Sequence, residues 1–214
     1  MKNFQDLLAG YRRFRQGNWS DQRARWTQLA EGQDPKLLVI ACSDSRVDPS
    51  QIFDASPGEM FVVRNVANMV PPFEVTGGHH GVSAALEFGV TQLEVPEIVV
   101  LGHGQCGGVS ACLSRRFAGA APGEGGFIAR WIDLLDEARD RVVAAHGEDA
   151  GPETVMALEL EGVKVSLKNL RTFPWIAERE QAGRLRLHGA HFAIADGILR
   201  VLNEKTGEFA PAEG

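Results

Sequence analysis

The chain has 214 residues, 44% hydrophobic and 23% charged, which suits one soluble globular domain with a sizeable core or at most two small ones. Its 22 Lys and Arg against 28 Asp and Glu leave a net charge of -6, which argues against nucleic-acid or anionic-membrane partners, since both need basic surface. No apolar run approaches the ~20 residues that span a bilayer, and 3 cysteines are too few, and odd in number, for a disulfide scaffold. These features point to a reducing, cytoplasmic setting and leave a small neutral substrate open.

In chain order, the first expected element is a helical arm over residues 1–30, in which Phe4, Leu7, Leu8, Tyr11 and Phe14 recur at helical spacing. The arm lacks the continuous apolar core of a secretory signal. Arg12, Arg13 and Arg15 suit a transit peptide, but Asp6 and the absence of a Ser-rich stretch favour a docking helix, with Trp19 and Trp26 as anchors. Residues 31–214 read as a single α/β domain. Its expected strands are Leu37–Ala41, Met60–Arg64, Ile98–Leu101 and Leu185–Ile194, and the first three are the continuous apolar runs of a covered parallel sheet. Helices are expected over Gly81–Val90, over Phe127–Ala145 as one element, and over Pro152–Arg171, with a Gly/Pro-rich loop at Ala118–Gly126 and a frayed tail after Gly207. Strands alternating with helices predict an α/β fold: a central, mostly parallel sheet flanked by helices, with ligands at strand carboxyl ends near a switch point.

Two short motifs follow two of those strands. Cys42-Ser43-Asp44-Ser45-Arg46 leaves the first, and His103-Gly104-Gln105-Cys106-Gly107-Gly108 leaves the third. If the strands are parallel neighbours, Cys42, His103 and Cys106 converge as a three-ligand zinc site with one position open, as catalytic zinc sites have. Asp44 is either a hard ligand or a hydrogen-bond acceptor, and Arg46 suits a bidentate fork to it. The plainer alternatives are a buried small cysteine beside an Asp/Arg turn, and a packed histidine. Gly102, Gly104 and Gly107 also spell a dinucleotide fingerprint. The acidic residue that such a site needs falls at Glu124, inside a loop, and the cofactor leaves His103 and Cys106 without a task.

Together these motifs, with Phe61-Val62-Val63-Arg64-Asn65-Val66-Ala67-Asn68 and Ser166-Leu167-Lys168-Asn169-Leu170-Arg171-Thr172-Phe173-Pro174, resemble the β-class carbonic anhydrases over nearly the whole chain. The resemblance implies Zn2+ on Cys42, His103 and Cys106. Asp44 is then a conditional fourth ligand, which Arg46 holds off the metal so that water can bind. It implies a substrate hydrogen bond from Gln33, nine residues before Cys42, and a pocket formed by Phe61, Val66, Phe88 and Gly107. Some bacterial members bind bicarbonate at an inhibitory pocket made by a Trp, an Arg and a Tyr. Here those positions hold Val39, Arg64 and Phe192, so the chain looks like the plant-like, open-site subtype. Zinc lowers the pKa of bound water from about 15.7 to about 7 in the best-known hydrases, and two thiolates imply a value above about 8. The implied reaction is reversible hydration of carbon dioxide, by a homodimer or tetramer in which the arm wraps a partner.

Rival readings are hydrolysis of carbonyl sulfide or carbon disulfide on the same site, and a non-catalytic zinc module, which would need neither an open position nor a carboxylate gate. A redox protein is disfavoured because no Cys-x-x-Cys is present. His79 and His80 suit a proton shuttle or a helix cap. His146 reads as an exposed helix end, His188 and His191 as strand packing, and Cys112 as a buried free thiol.

Overall fold

The computed structural model describes residues 3–76, 78–147 and 151–212. The chain divides into two compact units, Met1–Asp34 and Pro35–Gly214. The first is helical throughout, as three helices: α1 (Phe4–Gln16), α2 (Asn18–Asp21) and α3 (Arg23–Glu31), with Gly17 between the first two. A capping box starts α1: Asn3 Oδ1 accepts from the Gln5 and Asp6 amides, and Asp6 Oδ2 accepts from the Asn3 amide. Phe14 and Trp26 meet edge to face at 5.6 Å, and the Arg15 and Arg23 guanidinium groups lie over the Trp19 ring. Phe4, Leu7 and Tyr11 stay more than half exposed.

The second unit is built on one six-stranded sheet. Its strands are β1 (Leu37–Cys42), β2 (Met60–Asn65), β3 (Glu97–His103), β4 (Arg186–Phe192), β5 (Leu199–Asn203) and β6 (Glu208–Pro211), in the order β2-β1-β3-β4-β5-β6. The pairs among β2, β1, β3 and β4 are parallel, and β5 and β6 add an antiparallel hairpin. Chain order reverses at β1, which is flanked by β2 and β3, so their carboxyl ends form the switch-point crevice. The helices are α4 (Pro49–Ile52), α5 (Gly81–Glu87), α6 (Gly107–Leu113), α7 (Gly126–Ile132), α8 (Asp136–His146), α9 (Pro152–Leu170) and α10 (Pro174–Gln181). Leu38, Ile40, Ile98 and Val100 bury one face of the sheet against Leu86, Val90, Val163 and Leu167.

Three expectations are corrected. The chain beyond Gly207 is a strand through Pro211, because Phe209 pairs with Leu202 and both pack on the core. The expected single helix over Phe127–Ala145 breaks into α7, a 3₁₀ turn at Asp133–Leu135, and α8. Its apolar stripe of Ile132, Leu135, Ala138 and Val142 is nevertheless buried. The helix expected to Val90 ends at Glu87 and continues as a π-type turn, Phe88–Gln92, that buries Gly89 against Leu38. The long helix α9 crosses β3 and β4 at close quarters. A Cβ at Gly102 or Gly189 would lie 2.8 Å from a Val163 methyl, so glycine is what permits this approach.

Candidate metal centre

Because β1 and β3 are parallel neighbours with Ala41 opposite Leu101, Cys42 ends one strand beside His103 at the end of the other. Cys106 follows one tight turn later, at the start of α6. One ligand atom each from Cys42, His103 and Cys106 lies within 4.8 Å of the others, and all three residues are buried. The two sulfurs are 4.0 Å apart. Two thiolates on a tetrahedral zinc, each at about 2.3 Å, stand about 3.8 Å apart, so the spacing fits that ion.

The imidazole is oriented for the same purpose. His103 Nδ1 donates to the Gly104 carbonyl at 2.9 Å, while Nε2 is buried and has no hydrogen-bond partner. A ring whose Nδ1 proton is fixed by a carbonyl presents the Nε2 lone pair to a metal. The Cys106 thiol above all, with the Ala67 amide, holds the Cys42 thiol well below its ordinary pKa, against the effect of burial. Cys106 is pushed up by donating to Cys42 and by burial. Burial opposes a charged His103, yet the Cys42 thiolate beside it prevails and raises its pKa. The cluster thus offers soft thiol donors that a cation would deprotonate on binding.

Asp44 stands apart from the three. Arg46 grips it with Nε to Oδ1 at 2.9 Å and Nη2 to Oδ2 at 2.7 Å, and the Arg46 amide also donates to Oδ1 at 2.9 Å. That fork holds the Asp44 carboxyl far below the usual carboxylate range. Arg46 Nη2 also donates to the Gln105 carbonyl at 2.9 Å, which ties the Asp44 loop to the turn carrying Cys106.

A carbonic anhydrase family model matches residues 37–199. The chain is 38% identical to beta carbonic anhydrase 3 of Arabidopsis thaliana over 89% of its own length and 73% of that protein. The chain belongs to the β-class carbonic anhydrases. The solved structure of the beta-carbonic anhydrase CcaA superposes with a TM-score of 0.89 at 32% identity, covering 98% of this chain and 92% of that one. One of two tetrameric beta-carbonic anhydrases from Sordaria macrospora gives 0.82 at 28% identity, covering 98% of each chain.

Of the other pocket residues, this carbonic anhydrase brings Val66 and Gly107 to the cluster. The Ala67 amide donates to Cys42 Sγ at 3.4 Å, and Val66 lies over Gly108, where a Cβ would come within 2.8 Å of it. Phe61 and Phe88 stack on one another at 5.8 Å, but Phe61 pairs with Leu38, four residues before Cys42. At 3.3 Å per residue that is about 13 Å down the strand. Within one chain the two rings therefore do not reach the cluster. Gln33 belongs to the first unit. Val39 is fully buried in β1, and Phe192 pairs with His103 at the end of β4.

Arg64 has a task that the sequence does not reveal. It donates to the carbonyls of Cys42 at 2.9 Å, Asp44 at 2.6 Å and Val47 at 2.8 Å, and it reaches Asp48 at 3.4 Å. The loop carrying Cys42 and Asp44 is thus wrapped around one guanidinium. Ala67 (φ +61), Asn68 (φ +49) and Gln105 (φ +57) adopt left-handed backbone, which costs a non-glycine residue about 1 kcal/mol or more. Bonds around them hold the first two: Asn65 clasps both the amide and the carbonyl of Met69, Ser166 donates to the Asn68 carbonyl, and Trp131 donates to the Val66 carbonyl. Of the remaining histidines, His80 bonds the Thr76 carbonyl at the start of α5, His188 pairs with Glu97, and His191 is buried against Glu159. Cys112 is a buried free thiol on α6, which burial and then Asp136 push up to about 11.

Proposed function

We propose that this carbonic anhydrase catalyses the reversible hydration of carbon dioxide to bicarbonate and a proton, with zinc held by Cys42, His103 and Cys106. One observation carries the reading: an orphaned, buried imidazole nitrogen faces two thiols at zinc spacing, beside a carboxylate that its own guanidinium holds aside. When bound, zinc supplies a Lewis-acidic centre that brings the pKa of water down toward neutrality. Asp44 accepts a hydrogen bond from the attacking water and directs its lone pair at the carbon. Arg46 keeps Asp44 ionised and in place. Val66 gives an apolar wall that suits a nonpolar substrate, and at Gly107 a Cβ would meet only open space, so glycine leaves the approach clear. As the carbon–oxygen bond forms, one O–H bond of water breaks and its proton passes to solvent buffer.

In this reading the chain works as a homo-oligomer. Strand β2 is an edge of the sheet, and Val62, Val66 and Phe88 near it are 37–44% exposed. An exposed apolar strand edge invites pairing with a second copy, and a second copy is what would bring Phe61 and Phe88 to a cluster. Three free cysteines, two of them at zinc spacing, suit a reducing compartment such as the cytoplasm. Stopped-flow hydration of carbon dioxide, with zinc content measured on the same sample, tests the proposal. Activity should scale with zinc up to one equivalent per chain. Full loading without hydration would refute it, and carbonyl sulfide as substrate in the same apparatus would show whether the site serves another reaction.

A further inference from the structure

The peptide joining Gln105 to Cys106 is gripped at both ends. Its carbonyl accepts from Arg46 Nη2 at 2.9 Å, and its N–H donates to Glu159 Oε1 at 2.9 Å. Gln105 sits at φ +57 with its side chain exposed, so its left-handed backbone is held through this peptide and not through side-chain packing. Rotation of the peptide plane would break both bonds and shift the backbone from which the Cys106 side chain springs.

Glu159 comes from α9 and His191 from β4. Their side chains are 2% and 1% exposed, and His191 Nε2 donates to Glu159 Oε2 at 3.0 Å. The His191 ring lies against Gly102 and Gly104, where a Cβ would be 3.6 and 3.9 Å from it. A carboxylate this deep is costly unless its oxygens are bonded. A tie between α9 and β4 alone would not require it, since Val163 and Leu167 already seat that helix on Gly189. What the carboxylate adds is a partner for the one amide that sets the direction of Cys106.

We infer that Glu159, supported by His191, is a positioning residue that locks the Gln105–Cys106 peptide, and through it both the Cys106 sulfur and the Arg46–Asp44 pair. The inference rests on the zinc reading above. Loss of the lock frees Cys106 for metal exchange and releases Arg46 from its carbonyl anchor.

The test uses the full chain loaded with zinc or with cobalt. It compares Glu159→Leu, Glu159→Asp and Glu159→Gln, with Leu170→Ala as a control buried in the other core cluster on the same helix. Zinc release to a chromophoric chelator should be about 10- to 100-fold faster in Glu159→Leu and Glu159→Asp, and their thiolate-to-cobalt charge-transfer band should shift. Glu159→Gln, whose amide oxygen still accepts from the Cys106 amide while its nitrogen donates to His191 Nε2 in the other imidazole tautomer, should match wild type in both. Leu170→Ala should lose thermal stability and change neither. Should Glu159→Leu fail to fold, Glu159→Asp decides. Unchanged release and an unchanged band in Glu159→Asp, equal damage in Glu159→Gln, or an equal effect from Leu170→Ala would each overturn the lock. A wild-type chain that takes up no metal would overturn the zinc reading along with it.

Discussion

Replacing Arg64 by alanine removes the post around which the Cys42–Asp48 loop is wound. Three bonds of 2.6 to 2.9 Å to the carbonyls of Cys42, Asp44 and Val47 are lost together. A hydrogen bond with one charged partner contributes about 1.5–3 kcal/mol net. The Arg64 side chain is 30% exposed, so water re-solvates part of what the variant uncovers. Less than half of the summed value should therefore survive, about 2–4 kcal/mol. For a domain of this size 1 kcal/mol is about 2–4 °C of melting temperature, so the zinc-loaded variant should melt roughly 5–15 °C lower. Because the freed loop carries both a metal ligand and Asp44, zinc release should quicken and kcat should fall in the same variant. Arg64→Lys should recover less than half of the loss, since an ammonium point charge cannot span three carbonyls as the fork does. The assays are thermal unfolding with and without a chelator, and zinc release. An Arg64→Ala protein that melts within 1–2 °C of wild type, at most about 1 kcal/mol, and holds zinc as long would refute the reasoning.

Arg46→Ala should lower kcat by about 100-fold, the usual cost of losing one preorganised polar group, while zinc stays at one equivalent; zinc loss in step with activity would contradict the separate roles of fork and ligands. Cys112 gives a pH test. Its folded pKa of about 11 lies above the ordinary thiol value of 9.0, so between those values the unfolded thiol ionises while the folded one keeps its proton. Stability should therefore fall as pH rises through that window, by about 2–3 kcal/mol. Urea unfolding of wild type and Cys112→Ser at both ends should show this extra loss in wild type alone. Bicarbonate should inhibit without cooperativity, because Arg64 is committed to three carbonyls and Val39 and Phe192 offer it no polar partner; a sigmoidal inhibition curve would contradict this.

The sheet's centre and the convergence of Cys42, His103 and Cys106 were legible because each depends on a local pattern: apolar runs for β1, β2 and β3, and soft donors at the two strand ends. The β5–β6 hairpin carries little local signal although Gly207 closes its turn at φ +73, because strand β5 mixes Arg200 and Asn203 into a short half-buried run. The break at Asp133–Leu135 has no Gly or Pro to mark it, and both halves keep one apolar stripe. Glu159 left a trace: it interrupts the buried stripe of Leu158, Gly162, Val163 and Ser166 on α9, where a polar residue needs a partner. That partner, the Cys106 amide, lies 53 residues away in sequence and becomes visible only with the fold. Phe61 and Phe88 mark the opposite limit. Their resemblance to pocket residues is plain in the sequence, yet the strand register sets them well away from the cluster.

The central claim is the ligand set, and zinc K-edge X-ray absorption on the loaded protein near neutral pH tests it most directly. The account predicts two sulfurs at about 2.3 Å and two nitrogen or oxygen neighbours at about 2.0–2.1 Å, with one sulfur lost in Cys106→Ser and none lost in Cys112→Ser. A wild-type spectrum without sulfur, or a Cys112→Ser spectrum that loses one, would contradict it.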